Sequence, residues 1–369
     1  MTSGAFDLAA LAQAFAFQGT FAEGEPYGSG HINDTFRLQF RQADGACRRY
    51  ILQRINHQVF RDPDGLMANV VGVTRHLRAK VEAAGGDPSR EALNLVWTRE
   101  GAPAHRDDRG NTWRAYDCIE GARTYDQVTE LRHITLAGRA IGHFQALMAD
   151  YPAHQLVETI PDFHHTPRRF QALWASVAAD AAGRVAEVAP ELAFARAREA
   201  DGSVIADAMA AGAIPLRVTH NDTKFNNVMI DDATGEAICV IDLDTVMPGS
   251  ALYDFGDAIR SSCNTAAEDE SDLERVGCSL EVFEAYAHGY LSAARTFLVP
   301  AELEHLAFSA KLLTLECGIR FLKDHLDGDV YFKVHRPGHN LDRARNQFKL
   351  VADLEARMDT LKALVAKHA

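Results

Sequence analysis

The sequence predicts an α+β protein with a small strand-rich N-terminal lobe and a large helical C-terminal lobe. The chain has 369 residues, which exceeds the ~100–200 residues of a typical domain. Apolar residues alternate with a period of two over residues 26–54, two further strands are expected near 93–98 and 112–119, and helical periodicity dominates after Gly121. We therefore expect one lobe at residues 1–116 and another at 122–369, joined by a connector at 117–121.

The N-terminal lobe is expected to contain two helices and four strands. Asp7 and Gly19 are typical of the start and the end of a helix over residues 7–18. Asp62 followed by Pro63 predicts the start of a second helix, which would run to about Glu82. Strands are expected at residues 33–40, 48–55, 93–98 and 112–119.

The C-terminal lobe is expected to be helical apart from a short sheet insert. Its predicted helices span residues 129–150, 167–188, 191–210, 279–296, 301–326 and 339–366. The insert consists of three short apolar runs at residues 214–219, 228–231 and 237–242, the last two forming a hairpin around residues 233–235. Polar residues separate these apolar runs and are expected to form loops at the strand ends. Side chains of loops at strand ends can converge on a ligand.

Net charge and cysteine spacing exclude several classes of protein. The formal charge is −13, whereas proteins that bind nucleic acid or anionic membranes need basic surface. No apolar run approaches the ~18 residues of a membrane span, and the N-terminus lacks the basic region of a signal peptide. The closest cysteines, Cys263 and Cys278, are too far apart for a zinc motif. We expect a cytoplasmic protein without a nucleic-acid or membrane partner, which leaves room for a local basic phosphate pocket.

A dense polar cluster at residues 219–228, THNDTKFNNV, precedes the predicted hairpin, and Asp242 follows it. The hairpin can bring Asn227 and Asp242 together, and amide and carboxylate oxygens are ligands suited to Mg²⁺. Asp222 is then available to accept a proton, and Lys224 can neutralise a transferring phosphoryl group.

The pattern H-x-D-x-x-x-x-N at His220, Asp222 and Asn227, followed by a strand ending in Ile-Asp at Asp242, resembles a known family. It is similar to the catalytic loop and metal site of the aminoglycoside phosphotransferase and choline kinase superfamily, small-molecule kinases with a bilobal protein-kinase-like fold. Within that superfamily the chain most resembles N-acetylhexosamine 1-kinases. The resembling stretches are residues 28–36, 50–60, 219–228, 241–260 and 318–348.

The resemblance implies a role for each residue of the loop. Asp222 would be the catalytic base, and Lys224 would lie near the γ-phosphate of ATP. Asn227 and Asp242 would hold Mg²⁺ on the nucleotide phosphates. His220 would brace the loop.

A second aspartate motif, Asp254-Phe255-Gly256, also reads as the DFG motif of kinases. Because Asp242 lies at the expected distance after Asp222, we interpret Asp242 as the metal ligand. We expect Asp254 to accept backbone N–H bonds that make the catalytic loop rigid.

The sequence signals for nucleotide binding are weaker than those for the catalytic loop. Backbone N–H groups of Gly28, Ser29 and Gly30 could cover the phosphates, although such a short glycine motif is usually only a turn. The connector at residues 117–121 would be the hinge, with the backbone of Asp117 and Ile119 meeting the adenine edge.

Arg54 ends the second predicted strand, where this fold normally places the phosphate-binding lysine, and its guanidinium suits phosphate oxygens. The alternative is an edge-strand arginine that faces water. The glutamate expected on the following helix is missing, since Ala68 and Asn69 occupy its second turn. The sequence therefore leaves open which residue orients Arg54.

The acceptor segment favours a neutral or anionic acceptor, because residues 318–349 contain seven basic and four acidic residues. The resemblance implies that His31, Arg320 and Tyr331 bind the acceptor. Three further residues could support the pocket: Asp244, Asp257 and Arg260.

These signals together predict a kinase that uses ATP and Mg²⁺ to phosphorylate the anomeric hydroxyl of an N-acetylhexosamine. One alternative is a kinase of another small hydroxylated metabolite, such as an aminoglycoside, an amino alcohol or another sugar. The other is a catalytically silent nucleotide-binding module, which the missing helix glutamate favours and the intact catalytic set argues against. The sequence leaves open the nucleotide preference and the oligomeric state.

Overall fold

The computed structural model describes residues 6–28, 32–125 and 130–369. The chain divides into two compact units. The first unit comprises residues 1–123, 155–160 and 230–247, and the second unit comprises residues 124–154, 161–229 and 248–369.

The strands of the described residues are β1 (Thr20–Pro26), β2 (Asp34–Arg41), β3 (Cys47–Arg54), β4 (Leu95–Val96), β5 (His105–Arg106), β6 (Thr112–Asp117), β7 (Ala122–Arg123), β8 (Arg217–Thr219), β9 (Val228–Asp231), β10 (Ala237–Val240) and β11 (Met247–Gly249). The helices are α1 (Leu8–Ala12), α2 (Pro63–Ala83), α3 (Leu131–Leu147), α4 (Thr166–Ala179), α5 (Ala189–Arg196), α6 (Val204–Ala210), α7 (Ala251–Ser262), α8 (Leu280–Ala294), α9 (Pro300–Leu326), α10 (His339–Ala356) and α11 (Met358–His368). An antiparallel sheet in the first unit and a mainly helical second unit confirm the predicted α+β class.

The first unit is built on a sheet with the strand order β1-β2-β3-β6-β4, in which β5 also pairs with β6. Side chains alternate between the two faces of a strand. One face carries apolar side chains of β2, β3 and β6, which pack with residues of the N-terminal segment, including Phe15 and Phe17. The predicted strands at 33–40 and 48–55 are confirmed as β2 and β3, whereas β1 is a mostly exposed edge strand that the sequence pattern does not predict.

The first helix is shorter than predicted. Asp7 caps it as expected, because the N–H of Ala10 donates to Asp7 Oδ1 at 2.9 Å. The helix ends at Ala12, and the following residues turn toward the sheet, where Phe15 is fully buried and bridges to Thr98. Burial of aromatic side chains therefore overrides helical periodicity in this segment.

Helix α2 begins as predicted, with Asp62 Oδ1 accepting from the N–H of Gly65 at 2.9 Å. Its predicted apolar face is buried, at Leu66, Val70, Val73 and Leu77. Strands β9 and β10 are neighbours in a small sheet that also contains β7, which confirms the predicted hairpin.

In the second unit, helix α3 packs against α8, and α9 packs against α7 and α10. The helices predicted at 129–150, 279–296 and 301–326 are confirmed as α3, α8 and α9. The region predicted as helix over 167–188 ends early at Asp180, which adopts the left-handed conformation. The sequence pattern does not predict α7. Within the described part of the chain, no helix combines the length and apolar character needed to cross a membrane.

Candidate active site

The predicted catalytic loop follows strand β8 and is held by one fully buried carboxylate, Asp254 of α7. The backbone N–H groups of His220 and Asn221 donate to its two oxygens at 2.9 and 2.7 Å. Gln145 donates to the same carboxylate at 2.7 Å, and the hydroxyl of Thr223 donates to the Asp254 carbonyl at 2.8 Å. These bonds confirm the prediction that Asp254 accepts backbone N–H groups of the loop.

Two residues of the predicted site have left-handed backbone conformations. Asn221, next to the predicted base, has φ +64°, and Asp242, the predicted metal ligand of the first unit, has φ +61°. Asn and Asp adopt this conformation more readily than other residues with a side chain, and Asp162, Asp180 and Asp329 adopt it elsewhere in the chain. At Asn221 the conformation is accompanied by the hydrogen bond from its backbone N–H to Asp254.

Asp222 is surrounded by a cation and an amide from its own loop. Lys224 Nζ lies 2.7 Å from Asp222 Oδ1. The side-chain amide of Asn227 donates to the Asp222 carbonyl at 2.8 Å and to Asp222 Oδ2 at 3.1 Å. The carboxylate is a quarter exposed, so a hydroxyl group can reach it. The structure therefore brings the predicted base, the predicted lysine and one predicted metal ligand into direct contact.

Lys224 is a cation at neutral pH. Burial favours its neutral form, but the negative charges of Asp222 and Asp257 outweigh burial and raise the pKa of the Lys224 amine. An ammonium group beside the base can stabilise negative charge on a phosphoryl group.

The donors proposed for magnesium are the amide oxygen of Asn227 and the carboxylate of Asp242. The Asn227 amide nitrogen is occupied by Asp222, so the oxygen is the end of that side chain that can bind a metal. Mg²⁺ commonly takes one or two protein oxygens and completes its shell with waters and substrate phosphates. Among the described residues, no group of three or more His, Cys, Asp or Glu side chains could hold a metal by itself. Each of these two oxygen donors has the chemistry that suits magnesium arriving with a nucleotide, and their joint role as metal ligands stays a prediction.

A charged pair on α7 lies close to the loop. The Arg260 guanidinium donates to Asp257 Oδ1 at 2.9 and 3.1 Å and to Glu268 at 2.9 Å. Burial works against the charged form of Asp257, but the charges of Arg260, His164 and Lys224 prevail and lower its pKa. Asp257 is therefore an anion whose charge is balanced by neighbouring cations.

Sequence reasoning missed the pair formed by His164 and Glu316. His164 Nδ1 lies 2.8 Å from Glu316 Oε1, and the hydroxyl of Thr166 donates to Glu316 Oε2 at 2.7 Å. His164 Nε2 is buried and has no hydrogen-bond partner among the described residues. The two partners are 152 positions apart in the chain, so no local motif signals them.

Two predicted acceptor residues lie around Phe332. The Arg320 guanidinium is 5.6 Å from the ring centroid of Phe332, and the ring of Tyr331 meets that of Phe332 edge-on at 4.8 Å. Tyr331 is 68% exposed. Its backbone N–H donates to buried Asp324 at 2.7 Å, so a fixed loop presents an exposed aromatic side chain. The third predicted acceptor residue, His31, lies outside the described residues.

The predicted glycine loop is only partly described. Gly28 has φ +81°, and a side chain there would meet no atom within 4 Å, whereas Ser29 and Gly30 lie outside the described residues. In the predicted hinge, the N–H of Asp117 donates to the Asn94 carbonyl at 2.9 Å, and Ile119 is buried. Nucleotide contacts of these residues stay predictions.

Arg54 is held by its own sheet. Its Nε donates to Asp34 Oδ2 at 2.6 Å, and its Nη1 donates to Asn111 at 3.2 Å. Asp34 lies directly opposite Arg54 on strand β2, so a neighbouring strand supplies the carboxylate that the sequence leaves open. At the expected position of the helix glutamate, Asn69 instead donates to the carbonyls of Val157 and Val246 at 2.8 and 3.0 Å.

The sequence pattern of the phosphotransferase enzyme family matches residues 23–298, more than half of the chain. The chain therefore belongs to that family, and its fold is the protein-kinase-like fold of aminoglycoside phosphotransferases.

Solved structures support this fold at low sequence identity. An aminoglycoside phosphotransferase from Alicyclobacillus acidocaldarius is similar with a TM-score of 0.63 and 12% identity, covering 100% of this chain and 98% of that one. A microcompartment-associated aminopropanol kinase is similar with a TM-score of 0.60 and 15% identity, covering 96% and 99%. An amicoumacin kinase in complex with AMP-PNP and Ca²⁺ is similar with a TM-score of 0.56 and 11% identity, covering 95% and 92%.

Proposed function

We propose that the protein is a small-molecule kinase that uses ATP and Mg²⁺ to phosphorylate the anomeric hydroxyl of an N-acetylhexosamine, giving the sugar 1-phosphate. The observation that carries the phosphoryl transfer is the contact of Asp222 with Lys224 and Asn227 in a loop fixed by Asp254. The choice of acceptor rests on the sequence resemblance to N-acetylhexosamine 1-kinases. Membership in the phosphotransferase family supports the reaction class.

In this proposal Asp222 takes the proton of the acceptor hydroxyl while that oxygen bonds to the γ-phosphorus. The bond from the γ-phosphorus to the bridging oxygen breaks, and ADP leaves. Lys224 stabilises the charge on the transferring group, and Asn227 and Asp242 would hold the metal. Magnesium, when bound, supplies charge neutralisation on the phosphates. Most of the rate enhancement then comes from positioning and preorganised charge.

The nucleotide would be covered by the loop at Gly28, Ser29 and Gly30, and its adenine edge would meet the hinge at Asp117 and Ile119. Arg54 remains a proposed phosphate contact. For that role its guanidinium would have to exchange Asp34 for phosphate oxygens, because the two are paired in this structure.

Charge balance around the loop supports a neutral acceptor. Asp257 and Glu268 both pair with Arg260, and Glu316 pairs with His164. A polycationic aminoglycoside would be expected to require carboxylates without such partners. We therefore propose that Arg320 and Tyr331, with His31, bind a hydroxyl-rich sugar by hydrogen bonding and stacking.

The competing proposals are a kinase of another hydroxylated metabolite and a silent nucleotide-binding module. The neighbours include an aminopropanol kinase and an aminoglycoside phosphotransferase, which favours testing amino alcohols and aminoglycosides beside sugars. The contacts around Asp222 argue against a silent module, since such a module has no need of a positioned base.

The test is an acceptor panel. Purified protein is incubated with ATP and Mg²⁺ and with N-acetylhexosamines, other hexoses, amino alcohols or aminoglycosides, and ADP release and phosphorylated product are measured. We expect an N-acetylhexosamine to be the preferred acceptor, with phosphate on the anomeric oxygen. The variant Asp222→Asn should lower kcat by at least ~100-fold, because general base catalysis contributes roughly 10²–10⁴-fold.

Three outcomes would contradict parts of the proposal. Phosphorylation of only cationic acceptors would reject the sugar. Wild-type turnover by Asp222→Asn would reject the assigned base. ATP binding without transfer to any acceptor would support the silent module.

We also infer a cytoplasmic location, supported by six cysteines that all lack disulfide partners in the structure. Fractionation of cells that express the protein tests this inference, and recovery from an oxidising compartment would reject it.

A further inference from the structure

Arg114 of strand β6 is a fully buried cation with partners on two sides. Its side chain is 1% exposed. The guanidinium Nε donates to Gln53 Oε1 at 3.0 Å, and Nη1 lies 2.5 Å from Asp244 Oδ1. Burying a charge is costly unless it is paired, so this arrangement needs a reason beyond packing.

The sheet places Arg114 and Arg54 on opposite faces. Gln53 lies opposite Arg114 in the register of β3 and β6, and it also donates to Thr35 of β2 at 3.1 Å. Arg54 is the next residue of β3, so its side chain points to the other face, where it lies 5.3 Å from the ring centroid of Phe6. On the face that carries Asp244, the buried cation is therefore Arg114.

Asp244 links this cation to the predicted metal ligand. Its second oxygen, Oδ2, accepts from the Asn33 amide at 2.6 Å, so both carboxylate oxygens have a partner. Asp244 lies in a short 3₁₀ turn, Leu243–Thr245, and Asp242 is the residue immediately before that turn. Because Asp244 lies two residues after Asp242, the contacts that hold Asp244 also restrict where the backbone of Asp242 can lie.

The pair with Asp244 keeps Arg114 charged despite its burial. Burial opposes the charged guanidinium, but Asp244 above all, with smaller contributions from Tyr116 and Asp242, raises the pKa of Arg114 further above its usual range. A buried positive charge thus stays beside the Asp244 carboxylate.

The burial of Arg114 argues against a direct contact between its guanidinium and a phosphate group. Gln53 and Asp244 already lie against Nε and Nη1 of the guanidinium, and the side chain has almost no exposed surface. Binding phosphate would require breaking the pair with Asp244 and leaving that carboxylate buried without its cation.

We propose that Arg114 is the positioning residue of the metal site: through Asp244 it holds the turn that presents Asp242 to magnesium. In protein kinases an ion pair between a strand lysine and a helix glutamate must be in place for activity. In this protein the helix has Asn69 at the position of that glutamate. The ion pair of Arg114 and Asp244 therefore takes the place of the lysine–glutamate pair in ordering the site. The inference rests on the proposed function only for the metal role of Asp242.

The test measures metal binding directly on the full chain. Mn²⁺ is titrated in the presence of ADP and followed by electron paramagnetic resonance, and ADP binding without metal is measured in parallel. Arg114→Met should weaken Mn²⁺ binding ~10- to 100-fold, the range found when groups that orient metal ligands are removed. ADP binding without metal should stay unchanged.

Arg114→Lys should retain more Mn²⁺ affinity than Arg114→Met, because lysine keeps the charge but cannot bridge Gln53 and Asp244 as a guanidinium does. The double variant Arg114→Met/Asp244→Asn should bind Mn²⁺ no more weakly than Arg114→Met alone, since both changes remove one interaction. If Arg114→Met does not fold, Arg114→Lys and Asp244→Asn carry the same test.

The matched control is Arg198→Met, which removes an arginine paired with Glu355 in the second unit at 2.7 Å. This control should lose stability and keep Mn²⁺ affinity. Wild-type Mn²⁺ affinity in Arg114→Met, with only a lower melting temperature, would overturn the inference.

The binding assay also separates this inference from the proposed reaction. If the wild-type protein phosphorylates no acceptor but its Mn²⁺ affinity depends on Arg114, the proposed phosphoryl transfer is wrong and the positioning role of Arg114 is supported. If the wild-type protein phosphorylates an acceptor but Arg114→Met binds Mn²⁺ as tightly as wild type, only the positioning role of Arg114 is wrong.

Discussion

Asp254 shows how one residue can determine the shape of a catalytic loop. Its carboxylate is fully buried and accepts from the backbone of His220 and Asn221. Burial raises the pKa of Asp254, while the charge of His220 and the N–H donors work against that rise. Because the residue after Asn221 is the predicted base, the position of the base depends on these bonds.

We expect Asp254→Asn to lower kcat by roughly 10–100-fold, since small misplacements of a catalytic group cost up to about 10²-fold. The asparagine replaces one acceptor oxygen with a donor, so a backbone N–H loses its partner. The free energy of unfolding should fall by ~1–3 kcal/mol. Steady-state kinetics with saturating substrates and urea unfolding measure the two effects.

Asp353→Asn is the matched control for Asp254→Asn. Asp353 also accepts a backbone N–H, that of Cys278, at 2.7 Å, but far along the chain from the catalytic loop. The control should lose stability with little change in kcat. Equal losses of kcat in both variants would show that Asp254 has no particular role in the loop.

At the scale of elements, helices α3 and α8 approach each other through glycines. A Cβ atom at Gly289 would lie 2.0 Å from the carbonyl oxygen of Thr135, and one at Gly138 would lie 2.4 Å from the carbonyl oxygen of Tyr286. These contacts involve backbone atoms, which cannot move aside without shifting a helix. Close helix packing therefore requires glycine at these positions.

We expect Gly289→Ala to lower the free energy of unfolding by about 1–3 kcal/mol, the usual cost of overpacking. Helix propensity predicts the opposite sign, since alanine is favoured over glycine by up to ~1 kcal/mol inside a helix. The sign of the change in urea unfolding therefore decides between the two effects. A more stable variant would show that α3 and α8 can separate at little cost.

At the scale of the whole molecule, several buried carboxylates depend on cations that are distant in the chain. For Glu316, burial opposes the charged form, but the positive charge of His164 and its hydrogen bonds with His164 and Thr166 lower its pKa. A carboxyl group with a lower pKa in the folded state stabilises the fold above its unfolded pKa, ~4.5. This contribution is lost as the pH falls below that value.

We therefore expect Glu316→Gln to destabilise the protein at pH 6 and to differ less from wild type as the pH approaches 3. Melting temperatures between pH 6 and pH 3 measure this difference. Glu304→Gln, at an exposed position of the same helix, should follow the wild-type profile. If the melting temperature of Glu316→Gln lies below that of wild type by the same amount from pH 6 to pH 3, the stability does not depend on the lowered pKa of Glu316.

Much of the site can be predicted from sequence because its signals are local. The spacing of Asp222, Lys224 and Asn227 lies within one loop, and their contacts follow from that spacing. The cap at Asp62 and the hairpin of β9 and β10 have equally local causes. Helix ends are less predictable, as α1 shows, because burial of Phe15 outweighs local propensity.

By itself, the sequence determined the α+β class and the polar loop, since periodicity, caps and motif spacing act over a few residues. Only the tertiary structure decided which charges meet. Arg114 is paired with Asp244, Glu316 with His164, and Arg54 with Asp34 rather than with a helix residue. The physical reason is that a buried charge needs a partner, and that partner can come from any part of the chain that folding brings near.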